Sequence, residues 1–212
     1  MYKNSLFYRE FFLLPKISIF KQTEQLFMLD INPSKGKILV SEPSILNDRA
    51  FNRSVIYLTE HNEEGCIGFI INKPSEFVLY DLIPDIDCDF TVYTGGPVEQ
   101  ENLYFIHKLP DLIPGSIQID NEIYWGGDFD ALTKLLNNND IKPTDIRFFL
   151  GYSGWSLDQL KNELDESSWT VVENKYPNIL GVENKFIWKD QLMKFGGEYQ
   201  IWANAPKNPT LN

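Results

Sequence analysis

The residues best placed to do chemistry lie in the stretch Leu150 to Leu160, LGYSGWSLDQL. An apolar run containing Ile146, Phe148, Phe149 and Leu150 leads into Gly151-Tyr152-Ser153-Gly154, and a helix-like stretch follows. That is the strand, turn, serine, helix order of a hydrolase nucleophile elbow. The elbow pattern is G-x-S-x-G, however, and here the second glycine comes one residue early, with Trp155 in its place. The second glycine lets helix and strand approach closely, and Trp is the largest side chain. α/β-hydrolases also place the histidine after the serine, whereas both histidines of this chain, His61 and His107, precede it. Other chain orders occur on other folds, so a hydrolase using Ser153, or Cys66 activated by His61, stays open as the alternative reading. Carboxylates flank Cys66, at Glu60, Glu63 and Glu64, and these raise a thiol pKa rather than lower it.

The same stretch has a structural reading. Ser156 and Gln159 form the S-x-x-Q of a capping box, in which the serine accepts from a first-turn N–H and the glutamine reaches back. Leu157, Leu160 and Leu164 form an apolar stripe, Trp155 can pack as a staple against Leu160, and Gly151 and Gly154 permit a tight strand-to-helix turn. Gly95-Gly96-Pro97 is a second glycine punctuation after a strand. It is neither a G-x-G-x-x-G fingerprint nor a Walker A loop, so no nucleotide cofactor is indicated. The histidines and carboxylates lack metal-site spacing such as H-E-x-x-H, and no C-x-x-C pair exists; no metal or other cofactor is expected. Asp48, Arg53 and Lys73 flank the first strands, where they can pair with one another.

These residues must be positioned by a mostly β framework. GKILVSEP (36–43), SVIYLTEH (54–61), CIGFIIN (66–72), FTVYT (90–94), NLYFIHKL (102–109), IRFFL and WTVV (169–172) read as strands, with SIQI and EIYWG as a tight hairpin. Short helices are expected between Phe77 and Pro84, over 129–137 with Asp128 as N-cap, over 156–165, and over about 186–195 with Gly196 and Gly197 as the stop. The tail from Ala203 reads as coil. Hairpins come first and helices are inserted singly. The fold class is therefore α+β, a mixed, strongly bent sheet with about four short flanking helices. Residues 1–30 read as a loosely ordered extension, and 31–212 as a single domain.

The chain has 212 residues and a formal net charge of −11. Residues 1–21 carry Lys3, Arg9, Lys16 and Lys21 against Glu10, which leaves −14 for the remainder. So acidic a body repels phosphate backbones, and direct nucleic-acid binding is disfavoured. The longest apolar run near the N-terminus is Phe11–Leu14. A signal peptide needs about 7–15 apolar residues and a membrane span roughly 20. The expected location is the cytoplasm, with no membrane span, and Cys66 and Cys88 are expected to be reduced thiols.

Taken together, GKILVSEPSILNDRAFNRSVIYLTEHNEEGCIGFIINKP, TGGPV and LGYSGWSLDQLKNEL…W resemble, in that order, the AlgH (YqgE-like) family of bacterial proteins, a domain of unknown function. The resemblance covers roughly residues 35–172, and the C-terminal region is similar to the variant in Bacteroidetes-type members. It implies an α+β domain whose bifurcated sheet folds into a pseudo-barrel, and no established enzyme activity. The family carries a transcriptional-regulator label, tied to alginate production in one lineage. The motif positions carried over are Asp48, Phe51, Arg53, Ser54, His61, Asn72, Lys73, Pro74, Gly95, Gly96, Pro97, Val98, Gly151, Tyr152, Gly154, Trp155, Gln159, Leu160 and Glu163. None has an assigned catalytic role. Cys66 and Ser153 stand where the family tends to have a small residue such as Ala, which argues against an obligatory nucleophile at either.

The expectation is a regulatory or binding module without catalytic residues. A groove near Asn72, Lys73 and Pro74, Gly95, Gly96, Pro97 and Val98, and Gly151, Tyr152, Gly154 and Trp155 would take a protein or small-molecule partner, because these motifs lie at strand ends where backbone groups can face a ligand.

Overall fold

The structure is a computed structural model and describes residues 31–181 and 186–206. The expected N-terminal extension, residues 1–30, lies outside the described residues.

Ten strands form one forked sheet: β1 (Ile38–Ser41), β2 (Val55–Asn62), β3 (Gly65–Ile70), β4 (Pro74–Val78), β5 (Thr91–Thr94), β6 (Val98–His107), β7 (Ile117–Gln118), β8 (Tyr124–Trp125), β9 (Ile146–Trp155) and β10 (Trp169–Val172). Five helices accompany them among the described residues: α1 (Leu79–Leu82), α2 (Phe129–Asn137), α3 (Leu157–Asp165), α4 (Ile187–Phe195) and α5 (Tyr199–Asn204). The main strand order is β10-β1-β2-β3-β9-β6-β8-β7, and β4 and β5 form a branch attached to β9. All pairings are antiparallel except β5 with β9, which is parallel. The fold class is therefore the expected mixed and bifurcated α+β. The sheet stays open, with β10 and β7 as end strands.

β9 makes the fork. One of its edges pairs with β6. The other is shared: Phe148–Leu150 pair with β5, and Ser153–Trp155 pair with β3. Alternation along β9 also divides the core, as a strand's period of two requires. Phe149 packs in one cluster with Tyr57, Phe69, Trp188 and Leu192. Phe148 and Ile146 face the other way, into a second cluster with Leu79, Leu132 and Leu136 of α1 and α2. Both phenylalanines are fully buried, each contributing on the order of 2–3 kcal/mol relative to exposure.

Two local departures from expectation have clear causes. The stretch Gly151–Trp155 is not a strand-to-helix turn; it is the second half of β9, extended because it still has β3 to pair with. A second helix, α5, follows Gly196 and Gly197 at a point where the sequence indicated only a stop and then coil. Gly196 does end α4, with φ +73°, but Gly197 at φ +54° starts a new turn. α5 then docks through Tyr199, whose phenol bonds the buried Glu42 carboxylate.

Candidate functional site

Gly95 and Gly96 stand at the fork. The Gly95 N–H donates to the Leu150 carbonyl at 2.8 Å, and its own carbonyl accepts from Ile70 N–H at 2.9 Å and Ser153 Oγ at 3.0 Å. Gly95 thus replaces the strand pairing lost where β3 and β5 diverge. A Cβ on Gly96 would sit 2.2 Å from the Tyr152 carbonyl, and one on Gly95 only 2.1 Å from the Gly151 carbonyl. Close backbone approach, rather than an exposed anion nest, is what demands these glycines. Gly151 takes φ +66°, which bends β9 between its two partners.

Asn72 and Lys73 are braces of the same kind. Asn72 Oδ1 accepts from Val55 N–H at 2.8 Å and its Nδ2 donates to the Arg53 carbonyl at 2.8 Å. Lys73 Nζ donates to the Ala50 carbonyl at 2.7 Å, and the Lys73 carbonyl accepts from Thr94 N–H at 2.9 Å. Pro74 opens β4, opposite Tyr93. Asp48 and Arg53 also engage the backbone. Asp48 Oδ1 accepts from Ala50 and Phe51 N–H, while Arg53 donates to the Ala205 and Pro206 carbonyls and stacks 5.1 Å from the Trp188 ring.

Trp155 is held by a carboxylate. The indole N–H groups of Trp155 and Trp169 both donate to Glu163 Oε2, at 2.8 and 2.7 Å. Phe51 closes the cluster, stacked on Trp155 with centroids 5.8 Å apart and edge-on to Trp169 at 5.2 Å. Ser156 caps α3 by accepting from Gln159 N–H at 3.2 Å. The Gln159 side chain, though, goes to Glu163 Oε1 at 2.8 Å, so only half of the expected capping box forms. The carboxylate offers a charge-assisted bond that the N-cap backbone cannot match.

The three expected segments therefore do meet. Of the expected positions, Val98, Tyr152, Gly154 and Trp155 line a groove of about 370 Å³. Its other walls are Glu60, Asn62 and Glu64 from the β2–β3 hairpin, Gly65, Cys66 and Ile67 of β3, and Ser156. Register explains the grouping. A bulge at Thr59 lets Glu60 pair with Ile67, and Ile67 pairs with Gly154, so the three form one row on one face. The sequence missed Glu60 and its partner Ile67 because a bulge changes which residues share a face.

The nucleophiles are otherwise engaged. Ser153 is fully buried and donates to Gly95. Cys66 is buried, and burial together with Glu60 pushes its thiol up to about 12. His61 sits opposite Cys66 in register, yet His61 Nδ1 has no hydrogen-bond partner among the described residues. His107 is fully buried. Its Nδ1 accepts from Leu109 N–H at 3.0 Å, so Nε2 carries the proton and faces the Gly126 carbonyl and Ser116 Oγ, both at 3.0 Å. An imidazole donating from Nε2 cannot act as base toward Ser116, whose own hydroxyl donates to the Ile113 carbonyl. Burial also pushes the His107 pKa down. Among the described residues no group of three or more His, Cys, Asp or Glu is placed to hold a metal ion, and no helix is long and apolar enough to cross a membrane.

The buried Arg147 is a further residue that sequence reading passed over. Its guanidinium donates to the carbonyls of Ile71 (2.8 Å) and Leu180 and lies 4.5 Å from the Tyr93 ring. It ties β9 to the residue just after β3 and to the segment before α4.

A family model described as "DUF179: AlgH-like" matches residues 38–200. A UPF0301 protein of Bacteroides fragilis is 42% identical over 186 residues, which cover 86% of this chain and 93% of the relative. A UPF0301 protein of Chlorobium luteolum is 41% identical over 178 residues, covering 84% and 94%. Among solved structures, the AlgH protein from Pseudomonas aeruginosa superposes with a TM-score of 0.63 at 22% identity, over 84% of this chain and 97% of that one. A protein from Corynebacterium diphtheriae superposes with a TM-score of 0.65 at 20% identity, over 85% and 96%.

Proposed function

The chain belongs to the AlgH-like family, and on that premise we propose that it is a cytoplasmic, non-catalytic binding module with a regulatory role. Its partner, a protein segment or small molecule, sits in the groove beside Tyr152, Gly154 and Trp155. The observation that carries this reading is the row Glu60–Ile67–Gly154, which joins an apolar floor to an acidic rim at the end of a braced sheet. Such a surface favours a partner that presents an apolar side chain beside a cationic group. The net charge of −11 makes regulation through a bound partner more favourable than direct contact with nucleic acid. The hydrolase alternative has no support in the hydrogen bonding of Ser153, Cys66, His61 or His107.

The test is affinity capture from lysate with mass spectrometry of both proteins and small molecules, comparing the native chain with Ile67→Lys and with the Glu60→Lys, Glu64→Lys double variant. A partner retained by the native chain and lost by both folded variants is expected. Retention by both variants would reject the groove. Ester turnover abolished by Ser153→Ala or Cys66→Ala would reject the non-catalytic reading.

A further inference from the structure

A second cavity, of about 490 Å³, shares no lining residue with the groove. It lies where the segment before β1, the end of β6, the β7–β8 turn and the segment after β10 converge, and it is lined by Lys35, Lys37, Lys108, Asp120, Glu122 and Glu173, among others. Three ammonium groups meet here on a chain whose overall charge is −11. The formal charges of those six side chains cancel, so the question is which sign has bonding capacity left.

Hydrogen-bond accounting answers it. Asp120 is committed: Oδ2 accepts from the buried Tyr57 hydroxyl at 2.5 Å, and Oδ1 accepts from Glu122 and Ile123 N–H, each at 3.2 Å. Glu173 pairs with Lys37 at 3.3 Å, and Lys37 also donates to the Asn32 carbonyl at 3.0 Å. Glu122 is exposed. On the cationic side, Lys35 makes a single bond, to the Gln118 carbonyl at 2.8 Å. The half-buried Lys108 ammonium has neither hydrogen bond nor ion pair among the described residues. An ammonium carries three donors: Lys108 keeps all three at a half-buried position and the exposed Lys35 keeps two, on chain segments far apart in sequence, while the carboxylate left without a partner, Glu122, is exposed, so the half-buried bonding capacity left unused is cationic.

We infer that this cavity binds a small oxyanion-bearing solute, its phosphate or carboxylate group bridging Lys35 and Lys108. Tyr57 and Asp120 act as a positioning pair: their bond holds the β7–β8 turn against β2, and so fixes one wall of the cavity.

The test uses the full chain, labelled with ¹⁵N, titrated in separate arms with inorganic phosphate, glycerol phosphate and succinate, with sodium chloride holding ionic strength constant. Saturable amide shifts confined to Gly36, Lys37, Asn121–Ile123 and Glu173–Asn174 are expected in at least one arm. Saturation by phosphate or its ester alone assigns a phosphorylated solute, and saturation by succinate assigns a carboxylate. Lys108→Gln, which removes no bond within the described protein, should weaken binding roughly tenfold and leave the remaining spectrum unchanged; Lys35→Gln should act in the same direction. Non-saturating shifts in every arm, or affinities unchanged in both variants, overturn the inference.

Discussion

Replacing Glu163 by Ala should be among the most damaging substitutions available on this chain's helices, although Glu163 touches neither cavity described above. The carboxylate gathers the indole N–H groups of Trp155 and Trp169 on one oxygen and the Gln159 amide on the other. Trp155 and Trp169 are only 5% and 3% exposed, so water cannot readily replace the acceptor. A hydrogen bond to a charged group contributes about 1.5–3 kcal/mol, and an orphaned buried donor costs a similar amount. Two indole donors therefore lose about 3–6 kcal/mol together. With a urea dependence near ~2 kcal/mol per molar for a domain of this size, the unfolding midpoint should fall by roughly 2 M. Glu163→Gln keeps one oxygen facing both indoles and should cost only about 1–2 kcal/mol. Urea unfolding followed by tryptophan fluorescence measures both, since two of the affected groups are the reporters. If Glu163→Ala lies within about 0.5 kcal/mol of the native chain, in the range of an ordinary surface substitution, the clamp does not hold the tryptophans and Trp155 is free to serve the groove as a ligand-facing residue.

Gly96→Ala would place a methyl 2.2 Å from the Tyr152 carbonyl; it should destabilise by about 3 kcal/mol or more, whereas Gly154→Ala, which meets only the Tyr152 ring edge at 3.0 Å, should cost under about 1 kcal/mol, both read from thermal midpoints. Ser153→Ala should change stability by less than about 1.5 kcal/mol, because the Gly95 carbonyl still accepts from Ile70 N–H; urea unfolding decides. Glu42 is buried, and desolvation raises its pKa above 4.5 despite bonds from Thr170 and Tyr199. Between 4.5 and that raised value the folded chain holds a proton that the unfolded chain releases, so stability falls as pH rises through this window and the cost is complete above it. Glu42→Gln should therefore raise the thermal midpoint at pH 8, with the advantage shrinking toward pH 4; an advantage that grows on acidification would contradict this.

Much of the framework was legible in the sequence because it depends on local patterns. β10 matches its expected span residue for residue, Asp128 caps α2 through Asp130 and Ala131 N–H as its chemistry requires, and the four expected helices are present. Where reading failed, the cause was non-local. Gly151-Tyr152-Ser153-Gly154-Trp155 looks like a turn because glycines punctuate it. It stays extended because β3, some 85 residues earlier in the chain, supplies its pairing partner. β4 was passed over because Pro74 argues against a strand, yet it is an edge strand paired on one side only, where proline is tolerated. The bulge at Thr59 and the buried Arg147 leave no periodic trace at all.

The division between motif and site follows from the same geometry. A forked sheet has a weak point where one strand loses one neighbour and gains another, and there the backbone groups need substitute partners. Gly95, just past β5, and Ser153 of β9 supply them, Gly96 and Gly151 permit the close backbone approach this takes, Asn72 supplies partners beside β2, and Glu163 performs the equivalent task for the tryptophans. Each is a residue type with few alternatives, which makes such a stretch conspicuous in a sequence. The positions free to meet a partner are those the braces leave over: Glu60, Ile67, Val98 and the exposed edge of Tyr152 around the groove, Lys35 and Lys108 around the second cavity. Apart from Tyr152, whose ring also packs against the core and Tyr104, none of these is required by the fork, so substitutions there should alter binding while stability stays within about 0.5 kcal/mol of the native chain. The opposite pattern, binding retained while these positions destabilise the sheet, would mean that the groove is an extension of the core.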